Sequence, residues 1–405
     1  MNICVFTHTF PRYPGDPVAP FIKDFAIGLT QQGNQVVVLT PYEKNFNYEQ
    51  IKNFVIEKYK YIYPDSFHVL GYSRTLAGDQ KLKFFVYPFA PLLFLFSFIA
   101  LLKTVKKYNI QTISAHWILP NGFIAALVSK LTKIPLVITV PGSDVYLSKK
   151  NILFRTMSQF AGSQAKYIVS NSMRYLDELE KIGIDKTKFK EILYGVDINQ
   201  YPYPRKNKIV SRKNLGFTEN EKIILAVGRL VEKKGFEYLM RSIPFIIKKI
   251  PNIKLILIGE GSERNKLREL VYALDIKDKV LFIGKVNHDQ LFLYYTIADI
   301  YVAPSVKDSY GNLESHIVAL FEAIASGIPI VSTKLGVNNM YVRDGKNGYR
   351  VDEKDEKSIA NAVISILDSS KIEAMGEESR KIAEKFLSYI TCTKEYDKLF
   401  RSIIN

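Results

Sequence analysis

Short apolar, β-branched runs alternate along this chain with stretches whose apolar positions recur every three or four residues. Residues 2–7 (NICVFT) and 35–40 (QVVVLT) are strand-like, and the helical stretch between them, 21–31, ends at Gly33. That is a βαβ unit. Strand-like runs at 112–115, 136–140 and 167–170 continue the alternation, so the first half predicts a parallel sheet covered on both faces. After Gly195 the pattern lapses in a proline- and lysine-rich stretch, YPYPRKNKIVSR, which reads as a linker. A second series then opens, with strands at 223–227, 254–258, 280–283, 300–303 and 328–332. Two doubly wound Rossmann-like domains of the α/β class are predicted, 1–200 and 213–387, joined by a linker at 201–212, with a cleft between them as the ligand site. The last stretch, 388–405, places Cys392, Tyr396, Leu399 and Ile403 at helical spacing. A helix with one apolar stripe must pack on something.

Length and composition agree with two cores. A chain of 405 residues exceeds the roughly 250 to 300 at which single cores stop growing. Hydrophobic residues at 47% and charged residues at 24% exclude disordered and collagen-like classes. The apolar run 86–102 (VYPFAPLLFLFSFIALL) falls short of the roughly 20 residues of a spanning helix and is interrupted by Pro88 and Pro91. The first expectation for it is a buried core helix; the second is an interfacial helix whose following lysines meet anionic headgroups. With only Cys4 and Cys392, no disulfide framework or cysteine metal site is expected, and a reducing, cytoplasmic compartment fits. The first residues lack the basic and apolar regions of a signal peptide.

Charge sharpens the picture. The net charge is +16, and residues 1–205 carry 24 Lys and Arg against 14 Asp and Glu, so the first half is the more basic. Such an excess concentrates anionic partners such as phosphorylated ligands, nucleic acid or anionic lipid.

The most informative segment is DSYGNLESHIVALFEAIASGIPIVST, residues 308–333. Ser315 suits a helix cap, Ile317, Leu320, Phe321 and Ile324 follow at helical spacing, and Gly327 ends the helix before a strand. Glu314 then stands just ahead of the helix and Glu322 two turns inside it. The amides of Ser315, His316 and Ile317 would favour phosphate or sugar oxygens, as helix N-termini do.

Two glutamates separated by seven residues, followed by Ala-x-Ala-x-Gly-x-Pro-Ile-Val, resemble the E-x7-E motif of the retaining family-four glycosyltransferases, here most like capsule and exopolysaccharide enzymes. The resemblance implies the GT-B fold, with Glu314 beside the donor sugar and Glu322 on the nucleotide ribose. VGRLVEKKG, residues 227–235, is similar to the family's Gly-Arg-Leu-x-x-x-Lys-Gly segment, which assigns Arg229 and Lys234 to the donor diphosphate. Two fixed cations can stabilise a departing diphosphate without a metal. No Asp-x-Asp pair occurs, so no metal site is expected. LILIGEGSERNKL resembles the family's Gly-x-Gly loop (Gly259, Gly261), and VLFIGKV its base-contacting segment (Gly284, Lys285, Val286). ILYGVDINQY resembles an Asn-Gly-Val-Asp turn with Tyr194 in place of Asn. FPRYPGDPVAPFIKDFAIGL resembles the loop that approaches donor phosphate, with Gly15 as the close-approach glycine. VPGSDV resembles the His-Gly-x-Asp segment: Asp144 is kept, but Pro141 stands where the family has His and can neither accept a proton nor donate a hydrogen bond. His116 is the nearest substitute, its bland reading being a structural hydrogen bond at a strand end.

The resemblance thus implies transfer from a UDP- or GDP-linked sugar to a glycan or polyprenyl/lipid-linked acceptor, with no cofactor, no metal and no nucleic acid, at the cytoplasmic face of an anionic membrane. It also implies that the closing helix crosses back onto the first domain. The alternative is a nucleotide-sugar epimerase of the same fold. A dinucleotide-dependent dehydrogenase would need Gly-x-Gly-x-x-Gly after the first strand, where HTFPRYPGDP lacks it.

Overall fold

The computed structural model describes the chain except residues 15, 17, 45, 48–53, 69, 71–75, 78–80, 83–87, 143, 204, 206, 310–317, 336–337 and 405. It divides into two compact units: Met1–Tyr194 with Tyr389–Asn405, and Gly195–Ser388.

In the first unit the strands are β1 (Asn2–Phe6), β2 (Gln35–Pro41), β3 (Val55–Tyr59), a short antiparallel pair β4 (Leu76–Ala77) and β5 (Lys81–Leu82), then β6 (Thr112–His116), β7 (Leu136–Val140), β8 (Tyr167–Ser170) and β9 (Phe189–Glu191). Among the described residues the main sheet has the order β3-β2-β1-β6-β7-β8-β9, every pairing parallel. Ile3, Cys4, Val5 and Phe6 are all fully buried. Such continuous burial is what a parallel sheet covered on both faces requires, and it explains why the strands read as unbroken apolar runs. The winding reverses between β1 and β6, so the crevice outside their C-terminal ends is the place where such sheets bind ligands.

The helix Tyr389–Ile404 belongs to this first unit. It lies against the helix Pro20–Gln31, with Tyr396 and Phe25 ring centroids 4.8 Å apart and Asn34 Nδ2 donating to Asp397 Oδ1 at 2.7 Å. Gly28 permits the approach: a Cβ there would stand 2.4 Å from Thr393 Oγ1.

In the second unit β10 (Lys222–Val227), β11 (Ile253–Ile258), β12 (Val280–Gly284), β13 (Ile300–Ala303), β14 (Ile330–Thr333) and β15 (Gly348–Val351) form a parallel sheet of order β12-β11-β10-β13-β14-β15. Its winding reverses between β10 and β13.

The stretch expected as a linker, 201–212, is instead part of the second unit, which begins at Gly195. It runs into a helix, Lys208–Asn214, anchored by a buried ion cluster. Asp299 accepts from Arg212 Nη2 at 2.6 Å, Lys208 Nζ at 2.5 Å and the Ile223 amide at 2.7 Å. Burial pushes Lys208 down to about 8, while Lys208 and Arg212 hold the Asp299 carboxyl low against the opposing effect of its own burial. Lysines and arginines that look solvated in a one-dimensional reading are here the second unit's internal fastening.

The apolar run 86–102 gives the helix Ala90–Lys107, of which only one face is buried, through Leu93, Ser97, Leu101, Thr104 and Val105. The expectation of a buried core helix is therefore corrected to a helix that gives one face to the core and keeps the other exposed. Among the described residues no helix is long and apolar enough to cross a membrane.

Candidate active site

The loops leaving the C-terminal ends of β10, β11 and β12 are fastened to one another by their backbones. Gly228 N donates to Ile258 O at 3.0 Å, Leu230 N to Glu260 O at 2.9 Å, Glu263 N to Leu230 O at 2.8 Å, and Gly259 N to Gly284 O at 2.8 Å. This closeness demands glycine: a Cβ on Gly259 would lie 1.9 Å from Gly228 O, and one on Gly261 would lie 2.3 Å from Leu230 O. On the other side, a Cβ on Gly235 would lie 1.9 Å from Pro304 O, which brings the loop after β10 onto the loop after β13. Gly259 and Gly261, singled out from the sequence, are thus packing requirements of this edge of the sheet.

That edge presents cations. Arg229 is exposed and Lys234 half-buried. Lys234 folds back over Gly228, its Nζ 3.5 Å from where a Cβ on that glycine would stand. Both residues lie in the loop that leaves β10 at the switch point of the sheet, Arg229 against Gly259 of the loop after β11 and Lys234 next to Gly235, which meets Pro304 after β13. Gly284 takes φ 82° at the end of β12, with Lys285 exposed and Val286 half-buried after it.

Glu322, on the helix Val318–Ala325, is buried, with 4% of its side chain exposed. His288 Nε2 donates to Oε1 at 2.9 Å and the Tyr295 hydroxyl donates to Oε2 at 2.7 Å. Burial, and then the Glu322 charge, raises the Tyr295 phenol well above its ordinary value, which keeps it a proton donor. His288 and Tyr295 lie on one face of the helix His288–Ile297, which starts two residues after Val286. The structure therefore joins Glu322 to the segment expected to read the nucleobase. Sequence reasoning missed both partners; the available signal was a histidine directly following that segment. Glu314, Ser315, His316, Ile317 and Gly15 lie outside the described residues.

In the first unit the switch point gathers aromatic and neutral groups. His8, just past β1, lies 4.3 Å ring to ring from Trp117, just past β6. Asn121 Nδ2 donates to His8 Nδ1 at 3.2 Å and to His116 O at 2.9 Å. Burial lowers His8 to about 4, so its ring is neutral. Trp117 takes φ 69°, a region that costs a bulky residue about 1–3 kcal/mol and that clusters at functional sites.

Two expected catalytic residues are placed differently. His116 is fully buried, its Nδ1 2.6 Å from the Tyr194 hydroxyl and its ring 5.0 Å from that of Phe25. Burial lowers it to about 3, so it is a neutral core histidine with no surface from which to meet an acceptor. The tyrosine that replaces the family's asparagine is thus the partner that holds it. Asp144 is also buried, and its Oδ2 accepts the Ile118 amide at 2.8 Å, which ties the loop after β7 to the loop after β6. Burial raises its carboxyl to about 7. It positions the backbone beside Trp117.

Comparison with known proteins agrees with this division. Residues 18–200 match the family model described as Glycosyltransferase Family 4, and residues 207–384 match the model described as Glycosyl transferases group 1. An uncharacterised glycosyltransferase of Methanocaldococcus jannaschii is 29% identical over 91% of this chain and 89% of its own length. Sucrose-phosphate synthase of Thermosynechococcus elongatus superposes with a TM-score of 0.74 at 19% identity, over 99% of this chain and 98% of that one. HepE of Anabaena in complex with UDP superposes with a TM-score of 0.73 at 18% identity over 100% of both chains. Both family models describe glycosyl transfer, which disfavours the epimerase alternative. The chain is a glycosyltransferase of GT-B fold, with its Family 4 match in the first unit and its group 1 match in the second.

Proposed function

We propose that the enzyme moves a sugar, with retention of anomeric configuration and without a metal, from a UDP- or GDP-linked donor to a glycan or lipid-linked acceptor in cell-surface polysaccharide synthesis. The observation that carries this reading is the cation pair Arg229 and Lys234 at the switch point of the second sheet, beside loops that glycines hold in close contact. A leaving nucleoside diphosphate develops negative charge, and cations fixed in advance stabilise it without reorganising. HepE, solved with UDP and also with UDP-glucose, supports the choice of a nucleotide-sugar donor.

Glu322 binds the ribose. The His288 and Tyr295 donors fix the orientation of its carboxylate and leave its further lone pairs to accept from hydroxyls. Glu314, by resemblance, stands at the donor sugar, and the amides of Ser315, His316 and Ile317 at its phosphates. On the acceptor side, His8 with its Asn121 partner takes the place that the sequence assigned to His116. A neutral imidazole beside an indole face suits a sugar, whose ring offers hydroxyls at its edge and C–H bonds on its face. The departing phosphate serves as the base for the incoming hydroxyl, attacking from the same side.

Incubation of the purified protein with a panel of UDP- and GDP-sugars, with nucleoside diphosphate release as the readout, tests the reading. Turnover of one donor class is expected. No release from any donor, with or without added glycan acceptors, would overturn it.

A further inference from the structure

The loop that follows β13, residues 304–309, has no helix or strand of its own and is nonetheless held almost residue by residue. A Cβ on Gly235 would stand 1.9 Å from Pro304 O, Thr333 Oγ1 donates to Ser305 O at 2.7 Å, and Val306 N donates to Lys233 O at 2.9 Å. Lys307 N donates to Glu353 Oε2 at 2.7 Å. Ser309 gives both its donors to one side chain, the amide to Glu232 Oε1 at 3.0 Å and the hydroxyl to Glu232 Oε2 at 2.8 Å.

The ties to the loop that leaves β10 run in opposite order along the two chains: Gly235 with Pro304, Lys233 with Val306, Glu232 with Ser309. They bracket Lys234. Glu232–Lys234 is one tight turn, closed by Lys234 N on Val231 O at 3.0 Å and by Gly235 N on Glu232 O at 2.9 Å. Gly235 leaves the turn at φ 66°, pressed on the Pro304 carbonyl, so the C-terminal side of Lys234 is fixed by backbone alone. On its N-terminal side the turn is gripped by the Glu232 side chain. Each carboxylate oxygen of Glu232 accepts from Ser309, a charge-assisted pair of bonds that fixes orientation as well as distance. Glu232 is itself exposed, so its removal opens no cavity.

We propose that Glu232 is a positioning residue for Lys234: through Ser309 it holds the turn so that the ammonium stands ready where charge develops on the leaving diphosphate. The inference rests on the leaving-group role proposed above for Lys234. A cation placed in advance stabilises that charge without reorganising, and a misplacement of about 1 Å in such a group can cost as much as a hundredfold in rate.

Nucleoside diphosphate release from the UDP- or GDP-sugar that wild type turns over reads the effect. Glu232→Ala should lower kcat about tenfold and leave KM for the donor within about twofold, because the displaced cation serves the transition state. Glu232→Gln should recover the rate to within about threefold, since its amide keeps an acceptor for the Ser309 N–H and a donor for the hydroxyl. The double variant Glu232→Ala with Lys234→Ala should be no slower than Lys234→Ala alone, the mark of one residue acting through another. Thermal melts should match wild type throughout. Ser309→Ala, which loses the hydroxyl bond and keeps the amide bond, should fall between wild type and Glu232→Ala and carries the same cycle should Glu232→Ala fold poorly. Unchanged kcat in Glu232→Ala, effects that multiply in the double variant, or a Glu232→Gln as slow as Glu232→Ala would each overturn the proposal while Lys234 keeps its role. Unchanged kcat in Lys234→Ala would overturn the leaving-group role itself, and this inference with it.

Discussion

The two units share one architecture and differ in the polar groups they bury at the C-terminal edges of their sheets. In the second, buried charges are paired: Asp299 with Arg212 and Lys208, Glu322 with His288 and Tyr295. In the first, the loop after β1 buries the pair Arg12–Asp16, but among the described residues His8, His116 and Asp144 at the sheet's C-terminal edge bond neutral partners, and desolvation moves all three toward neutrality. A binding edge that must hold a dianionic leaving group needs charges that stay fixed. One that meets a neutral sugar does better with neutral donors, acceptors and aromatic faces. The same strand–helix repeat thus supports two different surfaces, and the difference lies in the loops.

The largest effect that this contrast predicts concerns stability. Asp299→Ala leaves Arg212 and Lys208 buried without their counter-charge and should cost the second unit about 3–5 kcal/mol. Urea unfolding followed by proteolysis would show Gly195–Ser388 opening before the first unit. Simultaneous loss of both units, or a shift below 1 kcal/mol, which is the scale of an exposed pair, would remove the contrast.

Next in size are the site residues. Lys234→Ala and Arg229→Ala should each raise the barrier to transfer by about 2–4 kcal/mol with the thermal melt unchanged. Glu322→Gln should raise KM for the donor more than it lowers kcat, because it removes ground-state binding to ribose. Unchanged kinetics in any of these variants takes that residue out of the site.

How much of this the sequence could disclose depends on the range of the interaction. The strands of both sheets other than β3, β9 and β15 were legible because burial writes them as uninterrupted apolar runs such as 35–40. The edge strand β3 (VIEKY) was not, since its outward positions are charged and half-exposed. The glycines at 259 and 261 were legible as a pattern, while their reason, a carbonyl of a neighbouring loop, appears only in three dimensions. Partnerships of long span were invisible: Arg212 meets Asp299 across 87 positions and His288 meets Glu322 across 34. That is why a buried anchor read as a linker, and why His116 read as a catalytic candidate when its core partner Tyr194 lies 78 residues away.

A smaller effect separates the units by pH. His8 and His116 have folded values of about 4 and 3 against an ordinary 6.5, so their contribution is fully present above pH 6.5 and is lost as pH falls through those values. Asp144, raised to about 7, acts in the opposite sense: its contribution is full below its ordinary 3.8 and is lost as pH rises through 7. Between about pH 4 and 6.5 two histidines outweigh one carboxyl, so the first unit's stability should climb with pH. His116→Gln should flatten that climb and Asp144→Asn should steepen it, as read by thermal melts across this range. A first unit indifferent to pH would show that these groups are hydrated after all.

The central claim is that fixed protein cations, Arg229 and Lys234, carry the leaving diphosphate. The most direct test is the rate of transfer from the cognate nucleotide sugar in excess EDTA. The account predicts an unchanged rate, since chelation removes nothing that the transition state uses. Complete loss of transfer in EDTA, restored by added magnesium or manganese, would contradict it.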